Sequence, residues 1–268
     1  MIADVFRLEL RRSRGLLAWL SLTAFLYCAV VAGFYPAMVE SMALFDEFLK
    51  MVPEGLLRGI GVDASLADPG VYYTSNIGIV LWPILGAIAA VAIGTRIAAD
   101  TERGWIELPL AGRITRVGYL AAGIGVQVLM LAAVAAAMVA GVVIGGALVG
   151  AGFDTGGLAL AGVAAWLWAL PIAGVATLLA AATLSRGITA GIVSGVLILM
   201  YLVRLIAQIE PDLKGLSGLS AFDYLYPTPI VNRGGGAFPV GDALLFTAIA
   251  VAAWAAAAWA FRRRDLVA

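Results

Sequence analysis

The chain has 268 residues, of which 63% are hydrophobic and 13% are charged, and its mean hydropathy is +1.01. Charged residues make up about a quarter of a soluble domain, so this composition excludes a soluble globular protein and predicts a polytopic, all-α membrane protein. The formal net charge is zero, and orientation must therefore be read from where the arginines and lysines lie along the chain.

Several kinds of chemistry are excluded by the residue types present. The chain has no histidine, which removes histidine-based acid–base catalysis and most zinc sites. Its one cysteine, Cys28, falls in an apolar stretch and is predicted to be a small buried side chain. Neither lysine, Lys50 or Lys214, belongs to a phosphate-binding P-loop. No cofactor and no nucleic-acid partner is predicted for this chain.

The first predicted span begins after a basic segment. Residues 1–14 contain four arginines and precede an apolar stretch that continues to about Gly33. This stretch is too long for the core of a signal peptide, and no small-residue cleavage pattern follows it. We therefore expect it to remain in the protein as a membrane span.

Six stretches are long enough to cross a bilayer, since a span needs roughly 20 apolar residues. They are residues 15–34, 77–99, 117–150, 158–184, 188–209 and 243–261. The third is longer than a perpendicular helix requires, so a tilt, kink or interfacial extension is expected there. Pro83 and Pro171 are expected to kink the second and fourth spans.

The charges of the connecting segments alternate along the chain. Arginines dominate the N-terminal segment, the segments after the second and fourth spans, and the C-terminal segment, whereas acidic residues dominate residues 35–75 and 210–242. The positive-inside rule then places both termini in the cytoplasm and these two long segments outside. Residues 38–52 show helical apolar spacing and predict a helix in the membrane interface, and the Pro- and Gly-rich residues 210–242 predict an irregular loop.

Glycines recur at helix-packing spacing in two spans. Gly141 and Gly145 lie in the third span, and Gly187, Gly191 and Gly195 lie in the fifth. Such spacing lets two helix backbones approach closely. The ladder in the fifth span is consistent either with a subunit interface or pathway, or with packing inside the subunit.

Arg204 is an ionisable residue inside the fifth span, and Gln208 follows one helical turn later. Intramembrane charges are costly and often functional, but Arg204 is also close enough to the outer boundary to extend its side chain to water. A functional Arg204 would bind an anionic group of the substrate or pair with Glu210 or Asp212. Asn76 is a second candidate for the pathway or gate, although helix capping also explains the polar residues at this position.

The richest polar motif is the segment 100–116 between the second and third spans. It carries a turn-forming glycine, an apolar anchor and charges of both signs. Its candidate docking residues are Asp100, Glu102, Gly104, Trp105, Glu107, Leu108, Arg113 and Arg116. Arginines and carboxylates of such a segment can form charge-assisted bonds to a soluble partner, and the apolar side chains can fill its pockets.

This layout resembles the membrane subunit of type-2 ABC exporters (ABC-2 permeases) over essentially the whole chain. The matching features are, in order, the basic amphipathic segment Ile2 to Arg12, the sequence Phe34-Tyr-Pro36, the motif Glu102-Arg-Gly-Trp-Ile-Glu-Leu108 with Leu110-Ala111 and Arg116, and the arginine-rich end Phe261-Arg-Arg-Arg-Asp-Leu266. The family commonly has leucines around the position of Pro109 and a proline near Arg113, so this chain departs from the pattern there.

The resemblance implies an N-terminal elbow helix over residues 1–14 and a cytoplasmic coupling helix within 100–116 that docks on a separate ATPase subunit. That partner would bind the ATP and magnesium. It also implies a second permease copy or homologue, with the second and fifth spans lining the pathway between the subunits, in the plasma membrane of a bacterium. The mostly apolar spans predict an amphipathic or lipid-like cargo, such as a drug, an antibiotic or a lipid-linked molecule.

Three other classes of protein are alternatives. A secondary transporter also needs no nucleotide motif, but it normally has ionisable coupling residues at the midplane and an internal repeat. A membrane-embedded enzyme needs a nucleophile with a partner, or paired carboxylates within the bilayer; serines such as Ser194 have no histidine or lysine partner. A non-transporting membrane assembly protein is the third alternative.

Overall fold

The computed structural model describes residues 2–41, 69–106, 114–224 and 238–263. Within these ranges the backbone is predominantly helical and contains no strand. Six helices are long and apolar enough to cross a membrane. The prediction of a helical chain with six helices long and apolar enough to span a membrane is therefore confirmed for the described residues, and the chain has the character of a multi-pass membrane protein.

The first span is part of one long helix, α1 (Ile2–Gly33). No break separates the predicted elbow at residues 1–14 from the span that follows it. The single Gly15 between them weakens the helix by only about 1 kcal/mol relative to alanine, which is too little to interrupt 32 residues. A short helix, α2 (Tyr35–Glu40), comes next; most of the predicted interfacial helix at 38–52 lies outside the described residues.

The second span begins earlier than predicted, with α3 (Pro69–Tyr73) and a π-helical stretch (Thr74–Leu81). It continues as α4 (Trp82–Gly94) and, after Thr95, as α5 (Arg96–Glu102). The expectation that Asn76 and its neighbours cap the start of this helix is wrong, because Asn76 Nδ2 donates to the Tyr72 carbonyl (3.0 Å) inside the helix. The helix is already present at Pro69, the first described residue of this range, seven residues before Asn76.

The π-helical stretch lies directly before Pro83. Trp82 N–H donates to the Ile77 carbonyl, five residues earlier. Proline has no N–H, and its ring clashes with the carbonyl four residues before it, so a widened turn at this point relieves both problems. The predicted irregularity at Pro83 is thus located in the preceding turns, whereas α7 (Thr155–Thr183) continues through Pro171.

The other described helices have side-chain caps at two of their starts. Thr115 Oγ1 accepts from Gly118 N–H before α6 (Arg116–Leu148), and the Asp154 carboxylate accepts from Gly156 and Gly157 N–H before α7. Helix α8 (Arg186–Ile209) is followed by 3₁₀ turns at Pro211–Leu219 and Ala221–Asp223, and then by α9 (Val240–Arg263).

Close helix contacts depend on glycine. A Cβ at Gly145 would collide with the Ala29 backbone, and one at Gly141 would collide with the Phe25 carbonyl, so α6 packs directly on the α1 main chain. A Cβ at Gly94 would lie 2.6 Å from Ala176 Cβ on α7. The predicted role of the Gly141 and Gly145 pair in helix packing is confirmed.

Successive spans run in opposite directions, so the segments that connect them lie at the two ends of the bundle. One end contains an apolar cluster that includes Val5, Ile97, Tyr119, Ala181 and Phe261. We call this the basic end, because the segments that meet there contain Arg12, Arg96, Arg103, Arg186 and Arg263 among other arginines. The opposite end contains Glu40, Asp154, Glu210, Asp212 and Asp242.

Candidate functional site

A network of buried charges lies at the basic end. Arg12 donates to Glu9 Oε1 (2.8 Å) and to Asp100 Oδ1 (2.7 Å), and Arg96 donates to Glu9 Oε2 (2.9 Å). Tyr119 OH donates to Asp100 Oδ2 (2.9 Å). These five residues, which we call the charge cluster, join α1, α5 and α6.

The charge cluster is balanced and well bonded. Glu9 is 4% exposed and Asp100 is 5% exposed, and two guanidinium groups neutralise the two carboxylates. Burying charges is costly unless they are paired and hydrogen-bonded; here each carboxylate oxygen accepts at least one bond within the cluster. The arrangement therefore fixes the relative positions of three helices.

Asp100 was predicted to contact a partner, but its burial means that it can influence a partner only through its neighbours. Glu9, Arg96 and Tyr119 were not among the predicted site residues. A signal for Glu9 was present, since it is the one acid among the arginines of residues 7–14 and lies three residues before Arg12.

The last residues of α5 and the turn that follows them, residues 100–106, form what we call the α5 turn segment, and this segment is partly exposed. Gly104 adopts a positive φ of 68°, and its N–H donates to the Thr101 carbonyl, which turns the chain at the end of the helix. Trp105 is 49% exposed and lies under the guanidinium groups of Arg12 (4.2 Å) and Arg103 (5.2 Å). The turn predicted at Gly104 is confirmed, and the apolar anchor Trp105 is at the surface.

Glu102 connects this segment to the fifth span. Its Oε1 accepts from the backbone N–H of Arg186 (2.9 Å), the first residue of α8. A carboxylate at a helix N-terminus satisfies an unbonded N–H and complements the helix dipole. Of the remaining predicted docking residues, Arg116 begins α6, while Glu107, Leu108 and Arg113 lie outside the described residues.

Arg204 lies far from these residues, toward the opposite end of α8. Its side chain is 4% exposed, and its Nε is 4.0 Å from Asp223 Oδ1. The alternative in which Arg204 extends to water is therefore wrong. The predicted partners Glu210 and Asp212 are exposed, and Gln208 follows in the same helix.

Arg204 lines a cavity of about 40 Å³. Among the described residues, aromatic side chains from the second span, α7 and the loop after α8 line it as well, whereas Asn76 does not. The structure thus places Arg204 in a cavity that the second span also lines, and Asn76 is not part of that lining.

The glycines of the fifth span have no close neighbours among the described residues. A Cβ added at Gly187, Gly191 or Gly195 would meet none of their atoms within 4 Å, and exposed Ile188 and Ile192 lie beside them. Packing against the described helices therefore does not explain this ladder. The interface or pathway alternative stays a prediction.

Within the described ranges, no group of three or more potential metal-binding side chains occurs. In comparisons with known proteins, no family model and no curated protein matches the chain.

Proposed function

We propose that this chain is the permease subunit of an ATP-driven exporter of the ABC-2 class, in the plasma membrane of a bacterium. It would act with a second permease copy and with two copies of a separate ATPase subunit, which binds ATP and magnesium. The observation that carries the proposal is the α5 turn segment. It presents an exposed tryptophan, Trp105, while Asp100 and Glu102 anchor it to helices of three other spans.

These anchors suggest how force from a partner would reach the bundle. Asp100 connects the segment to α1 through Arg12 and to α6 through Tyr119. Glu102 connects it to α8 through Arg186. Removing one member of a buried ion pair costs about 3–5 kcal/mol, so we expect the Arg12–Asp100 contact to persist while the helices move together. A partner that displaces Trp105 would then shift α1, α6 and α8 at once.

Helix α8 extends this link toward the other face of the membrane. Arg186 and Arg204 are 18 residues apart in one helix, a distance of roughly 27 Å at 1.5 Å per residue. Movement of the α8 N-terminus would therefore also displace Arg204 and the cavity that it lines. Alternating access then follows if ATP binding by the partner favours one of two helix arrangements. The apolar spans suit an amphipathic or lipid-like cargo.

The proposal is tested by purifying the chain from its native membrane in mild detergent and identifying the retained proteins. Truncating an aromatic anchor at the centre of an interface costs about 2 kcal/mol or more, or roughly thirtyfold in affinity. We expect the wild type to retain an ATPase and Trp105→Ala to lose most of it.

The matched control is Trp259→Ala. Trp259 is also exposed (59%) and also lies beside an arginine, with Arg263 at 4.1 Å from its ring, but it belongs to α9. Retention of the ATPase by this variant and its loss from Trp105→Ala and from Glu102→Ala/Glu107→Ala would support the proposal. If the wild type retains no ATPase, the proposal fails, and a secondary transporter becomes the better supported alternative.

A further inference from the structure

An open pocket of about 140 Å³ lies beside the charge cluster at the basic end. Residues of α1, of the second span, of the α5 turn segment and of α8 line it. Among the described residues of its lining, Asp100 is the only acid, whereas four residues are arginines. We call it the arginine pocket, and its arginines are Arg12, Arg96, Arg103 and Arg186.

Two of these arginines belong to the charge cluster and are neutralised there. Arg12 pairs with Glu9 and Asp100, and Arg96 pairs with Glu9. Because their charges are balanced by buried carboxylates, these two arginines form the inner wall of the pocket. An anion in the pocket must therefore be held mainly by the other two.

The outer two arginines have no carboxylate partner. Among the described residues, no ion pair involves the guanidinium group of Arg103 or of Arg186. Glu102 accepts from the backbone N–H of Arg186, not from its side chain. The Arg103 guanidinium lies over the Trp105 ring, a contact made by its face, so its in-plane N–H donors point elsewhere. Both arginines are exposed, and guanidinium groups of this kind are the preferred ligands of phosphate oxygens.

The lining of the arginine pocket becomes apolar toward the middle of the membrane. Leu16 lies one helical turn after Arg12 in α1, and Ala92 lies one turn before Arg96 in the second span; both line the pocket. Helix α1 begins at the basic end and the second span ends there, so both apolar residues lie on the membrane side of the arginines. This order of polarity fits a ligand with a charged head and an apolar tail.

An exposed apolar face of α1 continues from the pocket. Trp19, Leu26 and Val30 are at least half exposed, and they follow Leu16 at intervals that keep them on one side of the helix. From Leu16 to Val30 this face is about 21 Å long at 1.5 Å per residue, which exceeds half of the roughly 30 Å hydrocarbon core. An acyl chain that leaves the pocket can therefore lie against α1 over its whole length within one leaflet.

We propose that the arginine pocket binds the headgroup phosphate of an anionic phospholipid from the leaflet at the basic end. Arg103 and Arg186 donate to the phosphate oxygens, and Leu16 and Ala92 contact the start of the acyl chains. Basic pockets between membrane helices bind lipid headgroups in this way in other proteins. The binding occurs within one subunit and requires neither an ATPase nor transport, so it goes beyond the proposed function and can fail independently of it.

The test is native mass spectrometry of the full chain in mild detergent, titrated with dioleoyl phosphatidylglycerol. Dioleoyl phosphatidylcholine is the comparison lipid, because it has the same chains and phosphate but adds a fixed cation. We expect phosphatidylglycerol to bind at least about tenfold more tightly, since the unpaired arginines repel that cation. Inorganic phosphate at millimolar concentration should not displace the lipid, because it lacks the apolar tail.

Two variants examine the donors separately. Arg103→Gln and Arg186→Gln should each weaken phosphatidylglycerol binding by about tenfold, since each removes charge-assisted hydrogen bonds. Neither variant breaks an ion pair between described residues, and Arg186→Gln keeps the backbone N–H that Glu102 accepts, so both should fold. Arg14→Gln is the matched control, because Arg14 is also exposed at the basic end but does not line the pocket; it should bind the lipid like the wild type.

Three results would each overturn the proposal. Equal affinity for the two lipids would mean that the pocket does not recognise the anionic headgroup. An equal effect of Arg14→Gln and Arg186→Gln, or none of either, would mean that any attraction is general to the basic end. Displacement of the lipid by inorganic phosphate would make the pocket a site for a free anion.

Discussion

At the scale of single residues, the charge cluster determines how the α5 turn segment is attached to the neighbouring helices. Asp100 is the member that joins this segment to two other helices, through Arg12 and Tyr119. Hydrogen bonds to charged groups contribute more than neutral ones. The loss of this one carboxylate therefore affects both contacts.

We expect Asp100→Asn to lower the free energy of unfolding by about 3 kcal/mol, the lower part of the range for a broken buried pair, because Arg12 keeps Glu9 as a partner. The measurement is unfolding in nanodiscs followed by intrinsic fluorescence. Asp4→Asn is the control, since Asp4 is 71% exposed and 4.0 Å from Arg7; it should melt like the wild type. Identical melting of both variants would contradict a structural role for the cluster.

At the scale of elements, helix packing depends on which glycines have a helix in contact with them. Gly145 of α6 and Gly191 of α8 each lie within a helix and a small-residue ladder. Their surroundings differ. A Cβ at Gly145 would collide with the Ala29 backbone, whereas a Cβ at Gly191 would meet no atom of the described residues within 4 Å. The two positions therefore form a matched pair for one substitution.

We expect Gly145→Ala to destabilise the chain by about 1–3 kcal/mol, because the added methyl group collides with main-chain atoms of α1 that cannot rotate away. Gly191→Ala should be neutral or stabilising, since alanine is favoured over glycine in a helix by about 1 kcal/mol. Thermal unfolding of both variants in the same detergent distinguishes them. Equal shifts would show that α1 does not pack on α6 at this point.

At the scale of the whole molecule, much of the helix arrangement was predictable because hydropathy and charge are properties of position along the chain. The six spans and the turn at Gly104 follow from such local patterns. The ion pair between Glu9 and Arg96 could not be predicted in this way, because a local pattern contains no information about which helices pack side by side. The helical conformation of residues 69–76 was missed for a related reason. These residues are mixed in polarity, and Tyr72 is held by a bond from its hydroxyl to the Val31 carbonyl.

In an assembly of two subunits, the exposed face of α8 is the surface along which we expect the copies to meet. Glycines along a helix allow another helix to approach, and no atom of the described residues lies within 4 Å of a Cβ placed at Gly191. If two copies meet along α8, cysteines introduced at Gly191 will lie within disulfide distance, since Cα atoms of a disulfide are about 4.4–6.8 Å apart. The natural Cys28 is fully buried and can be replaced by alanine to leave one thiol per chain.

We therefore expect Gly191→Cys in this background to cross-link with mild oxidant in native membranes, with most of the chain recovered as a dimer on a non-reducing gel. Ile144→Cys on α6 is the control, because Ile144 is also exposed (48%) and would cross-link equally if collisions in the membrane sufficed. Two differently tagged copies expressed together show whether the product joins identical chains. Cross-linking to another protein would make the dimer heteromeric, whereas cross-linking that is absent, or no greater than at Ile144→Cys, would remove α8 from the interface and leave its glycines facing lipid.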